Sequence, residues 1–138
     1  MIIFDHEKLE VYCVAVEYAD AADAIAAKIK HGNAHVRDQL RRASDSIVNN
    51  VAEGAGEFQP AEKARFYRIA LRSCTESAAT LHTCQRRRLT DLDEIENARK
   101  LLKREVEMLT RLVQSVARRR DAHRDPDRDP DRGAEDSP

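Results

Sequence analysis

The sequence predicts an all-α fold: an antiparallel up-down-up-down four-helix bundle followed by a disordered acidic C-terminal tail. Three observations carry that expectation. Apolar residues recur at spacings of three and four in four long stretches, the mark of helices that bury one face. Only four Gly and four Pro interrupt 138 residues, and with aromatics at 4% and no Trp the core must be aliphatic and alanine-rich. The breaks between stretches are a few residues long, so consecutive helices should be antiparallel neighbours. The expected division is a bundle over residues 1–120 and a tail over 121–138.

The first helix is expected from about Asp5 to Lys30, with Leu9, Tyr12, Cys13, Val16, Ala19, Ala22, Ile25 and Ile29 as its apolar stripe. Gly32 suits its C-terminal cap and Asn33 the N-cap of the next helix. That second helix, from about Ala34 to Ala55, has Val36, Leu40, Ala43, Ile47, Asn50 or Val51, and Gly54 on its inner line. Pro60 fits the first turn of the third, where a missing N–H does no harm. The third runs to about Arg88, with Phe66, Ile69 or Ala70, Ser73 or Cys74, Ser77, Thr80 or Leu81, and Cys84 inward. Its small residues predict close approach of a neighbour. The fourth starts at Asp91, where Asp91 and Glu94 have capping-box spacing. Ile95, Leu102, Leu109 and Val116 then repeat every seven residues, with Leu101, Met108 and Leu112 widening the face.

Charge is uneven. Residues 121–138 carry seven acids and three arginines, which leaves 21 Lys and Arg against 18 acids in residues 1–120. The tandem Asp-Pro-Asp-Arg at 125–132 offers nothing to bury, so disorder is expected there. No run of about 18 apolar residues suggests a transmembrane helix. The opening MIIFDHEKLE lacks the basic start and apolar middle of a signal peptide, so a cytoplasmic location without membrane contact is expected.

Catalytic machinery is not visible. A di-iron bundle needs Glu-x-x-His pairs one turn apart, and none of His6, His31, His35, His82 or His123 has Glu three positions before it. Cys74 and Cys84 would lie about 15 Å apart along one helix, too far to share a metal or a disulfide. All three cysteines, Cys13 included, fall on apolar lines and read as small core residues of a reducing compartment. Asp125–Gly133 lacks the central Gly and final Glu of a calcium loop. Gly54-Ala-Gly56 follows no strand and precedes no GK[ST], so it is no phosphate loop. No enzyme activity, metal or cofactor is expected.

Two patterns stand out among the polar residues. Ser46, Asn49, Asn50 and Glu53 on the second helix lie opposite Ser73, Thr75, Glu76 and Ser77 on the third, and heptad spacing directs the Asn50 amide inward. Buried amides of this kind either fix helix register or line a pocket. The second pattern is rows of arginine: Arg37 and Arg41; Arg65, Arg68 and Arg72; Arg86, Arg87 and Arg88; and Arg104, Arg111 and Arg118. Guanidiniums in rows can follow a phosphate backbone. They equally suit solvated faces interspersed with acids such as Glu62, Glu105 and Glu107.

These same residues carry a family resemblance. Residues 39–56, QLRRASDSIVNNVAEGAG, resemble the signature Q-x-x-R-A-x-x-S-I-x-x-N-I-A-E-G-x-G of a bacterial four-helix-bundle family. It comprises the 23S rRNA intervening-sequence proteins and the accessory variability proteins of diversity-generating retroelements. Residues 66–76, FYRIALRSCTE, are similar to its F-x-x-I-A-x-G-S-x-x-E, and Phe4, Leu9, Val11 and Tyr12 resemble its opening. The resemblance spans residues 4 to about 118. It implies a homopentameric barrel and, in the retroelement branch, a protein that binds a reverse transcriptase and structured RNA or DNA. By motif position, Ser46, Asn50, Glu53, Gly54, Ser73 and Glu76 form the signature cluster. Arg72 stands where the family has glycine, which predicts looser packing of helices two and three. The expected role is a non-enzymatic nucleic-acid-binding oligomer using Arg37, Arg41, Arg65, Arg68, Arg72 and Arg86–Arg88. The alternative is a protein-binding scaffold.

Overall fold

The computed structural model describes residues 1–123, and every regular element among them is helical. A 3-10 turn at Asp5–Lys8 leads into α1 (Glu10–Ala27), and a second at His31–Asn33 leads into α2 (Ala34–Gly56). α3 (Pro60–Arg86) and α4 (Leu92–His123) follow. Contacts run α1 to α2, α2 to α3, α3 to α4 and α4 to α1, while no diagonal pair comes within 8 Å between Cα atoms. That is the square section of an up-down-up-down bundle. α4 continues three residues past the expected boundary at Arg120, and the expected disordered tail, from Arg124 on, lies outside the described residues. No helix among the described residues is long and apolar enough to cross a membrane.

α2 buries Val36, Leu40, Ala43, Ile47, Val51 and Gly54, the expected line with Val51 rather than Asn50 inward. α1 is rotated from expectation over its first half. Val11, Val14, Ala15 and Tyr18 face the core, whereas Leu9 and Cys13 are exposed and Tyr12, Val16 and Ala19 are half-buried. Nearly every uncharged position of EVYCVAVEYADAADAIAA is apolar, so two faces compete. Asp20 and Asp23 share the Cys13–Val16 side at 100° per residue and hold it in water. Cys13 is therefore not a core cysteine, whereas Cys74 and Cys84 are buried.

The helix ends also differ from expectation. α1 stops at Ala27, and Gly32 sits in the following 3-10 turn with no left-handed backbone, so it caps nothing. Asn33 precedes α2 without a capping bond; its amide oxygen accepts from Arg87 at 3.0 Å. Glu94 turns to Lys28, the residue just past α1, and to the Thr90 hydroxyl rather than to a capping box with Asp91. α3 ends at Arg86, not Arg88. The Leu89 N–H reaches the Cys84 carbonyl at 2.9 Å and the Arg88 N–H the Gln85 carbonyl at 3.1 Å, a Schellman closure. Arg88 takes the left-handed position at φ 54°, where glycine is usual.

The small residues of α3 leave space that a long side chain from α1 fills. Tyr18 is fully buried and crosses the diagonal to hydrogen-bond the Ser77 hydroxyl. Burial pushes its phenol up to about 12. On α4 the inward line is Ile95, Ala98, Leu102, Glu105, Met108, Leu109 and Val116. Glu105 is the surprise: expected on a solvated face, it is 0% exposed, and neither carboxyl oxygen has a hydrogen-bond partner among the described residues. Desolvation raises its pKa to about 8, outweighing the opposing field of Arg104. The group is thus a neutral acid in the core at neutral pH.

Its folded pKa lies above the ordinary carboxyl value, so the fold holds a proton that the unfolded chain releases between about pH 4.5 and pH 8. Stability from this group is complete at acid pH and is lost as pH rises toward 8. Glu105→Gln keeps the shape and cannot ionise. Urea titrations should find it within about 1 kcal/mol of wild type at pH 5 and more stable by roughly 4–5 kcal/mol at pH 9. Parallel pH profiles for the two proteins would contradict the assignment. Separately, Arg88→Gly should gain about 0.5–1 kcal/mol by removing left-handed strain, read as a higher urea midpoint.

Candidate nucleic-acid interface

The signature cluster lies along the α2–α3 seam. The Ser46 and Ser73 hydroxyls share a hydrogen bond of 2.7 Å across it, and Asn50 Nδ2 donates to the Ser46 carbonyl at 2.8 Å and the Ser46 hydroxyl at 3.1 Å. Asn50 is half-buried and bonds back along its own helix, so its amide does not enter the core. Glu53 and Glu76 are exposed, Glu76 lying 3.9 Å from the Arg42 guanidinium. The cluster therefore contains two inward members, Ser73 and Gly54, two half-buried ones, and two acids in water. It matches a register device more closely than a pocket.

Gly54 has a steric task. A Cβ there would sit 2.6 Å from Cε1 of the Tyr67 ring, closer than real side chains approach. Tyr67, not its neighbour Phe66, is the buried aromatic of α3. Lys63 completes the joint: its Nζ donates to the carbonyls of Gly54 at 2.6 Å and Ala55 at 3.2 Å, satisfying groups that the end of α2 leaves open. Burial lowers the Lys63 pKa. Packing here is close, and Arg72 does not loosen it because its side chain points away from the seam into solvent.

The structure separates the predicted arginines into two groups. Arg37 pairs with Asp38 at 3.2 Å, Arg41 with Asp23 of α1 at 3.0 Å, and Arg65 with Glu62 at 3.0 Å while stacking over Phe66. Arg87 is held by Asn33. Arg68, Arg72, Arg86 and Arg88 are exposed and make no ion pair among the described residues. Arg65, Arg68, Arg72 and Arg86 form one outward ridge on α3, whereas Arg37 and Arg41 lie on α2. Arg104 of the fourth row is tied to Glu10 of α1.

Sequence reasoning missed a second group of cations. Arg99, Lys100 and Lys103 rim a groove of about 490 Å³ between α3 and α4, floored by Cys74, Ala78, Leu102 and Val106. None of the three makes an ion pair among the described residues. Their i, i+1, i+4 spacing was legible; the neighbouring acid Glu96 masked the excess. Among the described residues no group of three His, Cys, Asp or Glu could hold a metal ion.

Residues 7–111 match the family model described as 23S rRNA-intervening sequence protein. No curated protein matches the sequence.

The close approach at Gly54 predicts an asymmetric response to alanine. Gly54→Ala should cost about 1–3 kcal/mol through overpacking against Tyr67. Nothing lies within 4 Å of a Cβ at Gly56, so Gly56→Ala should stay within about 0.5 kcal/mol of wild type. Urea midpoints of the two variants check this, and equal losses would contradict it.

Proposed function

Because the chain belongs to the 23S rRNA-intervening sequence protein family, we propose that it is a non-enzymatic, self-associating bundle that binds structured nucleic acid through the outward ridge of α3. The observation that carries this reading is a set of guanidiniums, Arg68, Arg72, Arg86 and Arg88, with no carboxylate partner among the described residues. A solvated face meant only for water usually intersperses its cations with acids, as Arg65 with Glu62 does. The ridge carries two cationic ends, Arg68 with Arg72 and Arg86 with Arg88, about 21 Å apart along the chain from Arg72 to Arg86 with the acid Glu76 between them, so they can meet phosphates of separate strands or turns. Each bound phosphate releases counterions, which makes such binding strong at low salt and insensitive to sequence.

Self-association multiplies the effect. A body with 21 bases against 18 acids is only slightly cationic, but a ring, pentameric by the family resemblance, repeats the ridge on every subunit. In this reading the protein is an RNA-binding factor of the cytoplasm, tied to rRNA intervening sequences or acting beside a diversity-generating retroelement reverse transcriptase. The second reading, a scaffold that binds proteins alone, draws on the apolar floor of the α3–α4 groove.

The test is affinity for a structured rRNA fragment as a function of salt. Wild type should bind at about 50 mM salt with a steep negative dependence of log affinity on log salt. Arg68→Glu with Arg72→Glu should weaken binding at least tenfold and flatten the slope by about 2. No binding at low salt, or a salt-independent affinity, would support the scaffold instead.

A further inference from the structure

The first four residues form an apolar run that the protomer leaves in water. Met1, Ile2, Ile3 and Phe4 are 113%, 84%, 54% and 64% exposed, and no other four consecutive residues of the described chain combine such size and exposure. The other exposed large hydrophobics, Leu9, Phe58 and Leu92, stand singly, so this run is the one contiguous apolar stretch among the described residues that the monomer leaves in water. Directly after it come two acids: Asp5, fully exposed with Lys8 3.8 Å away, and Glu7, whose carboxylate accepts from the Phe4 N–H at 3.1 Å.

The α3–α4 groove has the complementary build. Its floor is apolar, from Ala78, Leu102 and Val106, and its rim carries Arg99, Lys100 and Lys103 against the one acid Glu96. Along α4 the lining extends from residue 96 to 106, about 15 Å. Four extended residues span about 13 Å, so the Met1–Phe4 plug and the groove match in length and in apolar surface, and the exposed Asp5 carboxylate can exchange Lys8 for the cations of the rim.

A protomer cannot satisfy itself this way. The Asp5–Lys8 turn packs on α1 and α2 only, whereas the groove lies between α3 and α4 on the opposite side of the square. Two helix diameters of about 10 Å each separate them, more than four residues can cover. We propose that Met1–Phe4 of one copy seats in the α3–α4 groove of the next, with Asp5 and Glu7 meeting Arg99, Lys100 and Lys103. The two surfaces differ, so the contact is heterologous and propagates head to tail until it closes a ring or extends a filament. This proposal rests on the reading of the protein as self-associating and names the surfaces that do it. The α3 ridge stays outside the contact, free for polyanions.

Complementary variants test it in solution by light scattering, with circular dichroism to check that helicity is kept. Ile3→Asp with Phe4→Asp removes the plug; Lys100→Glu with Lys103→Glu removes the cationic rim. Each variant alone should fall from the wild-type multimer to the protomer mass of 15.7 kDa. An equimolar mixture should form a dimer and stop, because one intact plug meets one intact groove and the other ends are dead. Wild type at the protomer mass would overturn both this proposal and the self-association it rests on. A multimer unchanged in both variants would overturn the plug and groove alone. Loss of RNA affinity in the groove variant at unchanged mass would assign the groove to nucleic acid and likewise overturn the proposal.

Discussion

The contact between Gly54 of α2 and the Tyr67 ring of α3 constrains everything downstream of it. With room for no more than a hydrogen at Gly54, the ring can lie against α2 only if α3 is turned to bring position 67 inward. At 100° per residue that phase brings Ser73 to face Ser46 and points residues 65, 68, 72 and 86 away from the bundle. The arginine ridge is thus a consequence of how the seam packs. Lys63 fastens the same joint from the other side by holding the last carbonyls of α2. Stability and the proposed polyanion surface therefore depend on one turn of one helix.

Away from the seam, two large polar side chains enter the core among the described residues and are handled differently. Tyr18 reaches from α1 to Ser77 and finds a partner there, so its hydroxyl is satisfied while its ring fills space left by small residues. Glu105 finds none and instead keeps its proton, with its pKa raised to about 8 by burial. The nearby Cys74 thiol is pushed up to about 12, chiefly by burial, so it is an inert packing residue rather than a nucleophile. Exposed pairs such as Lys28 with Glu94 and Arg104 with Glu10 join α1 to α4 but add little, because water screens them.

How far the sequence disclosed this depends on the contrast within each helix. α2 mixes charged and aliphatic residues sharply, and its inner line was readable almost position by position. α1 is apolar on nearly all sides, so periodicity admitted two faces and the wrong one was favoured until Asp20 and Asp23 are weighed as markers of solvent. In α3 the adjacent aromatics Phe66 and Tyr67 competed for one inward place, and only the space beside Gly54 decides between them. Glu105 was unreadable for a different reason. Its place between Leu102 and Leu109 is inward by spacing, but a carboxylate is so costly to bury that its type argued the other way. The signature cluster was legible as a set of residues, while its division into seam and solvent members needed coordinates. So did the groove cations, whose helix spacing says nothing about the apolar floor beside them.

α3 is the helix proposed to meet nucleic acid, and mapping the bound state tests that most directly. Ultraviolet cross-linking of a structured rRNA fragment to the full chain, with adducts located by mass spectrometry, should place them on peptides covering residues 65–88. Adducts confined to α1 and α2, or none under conditions of saturated binding, would contradict it.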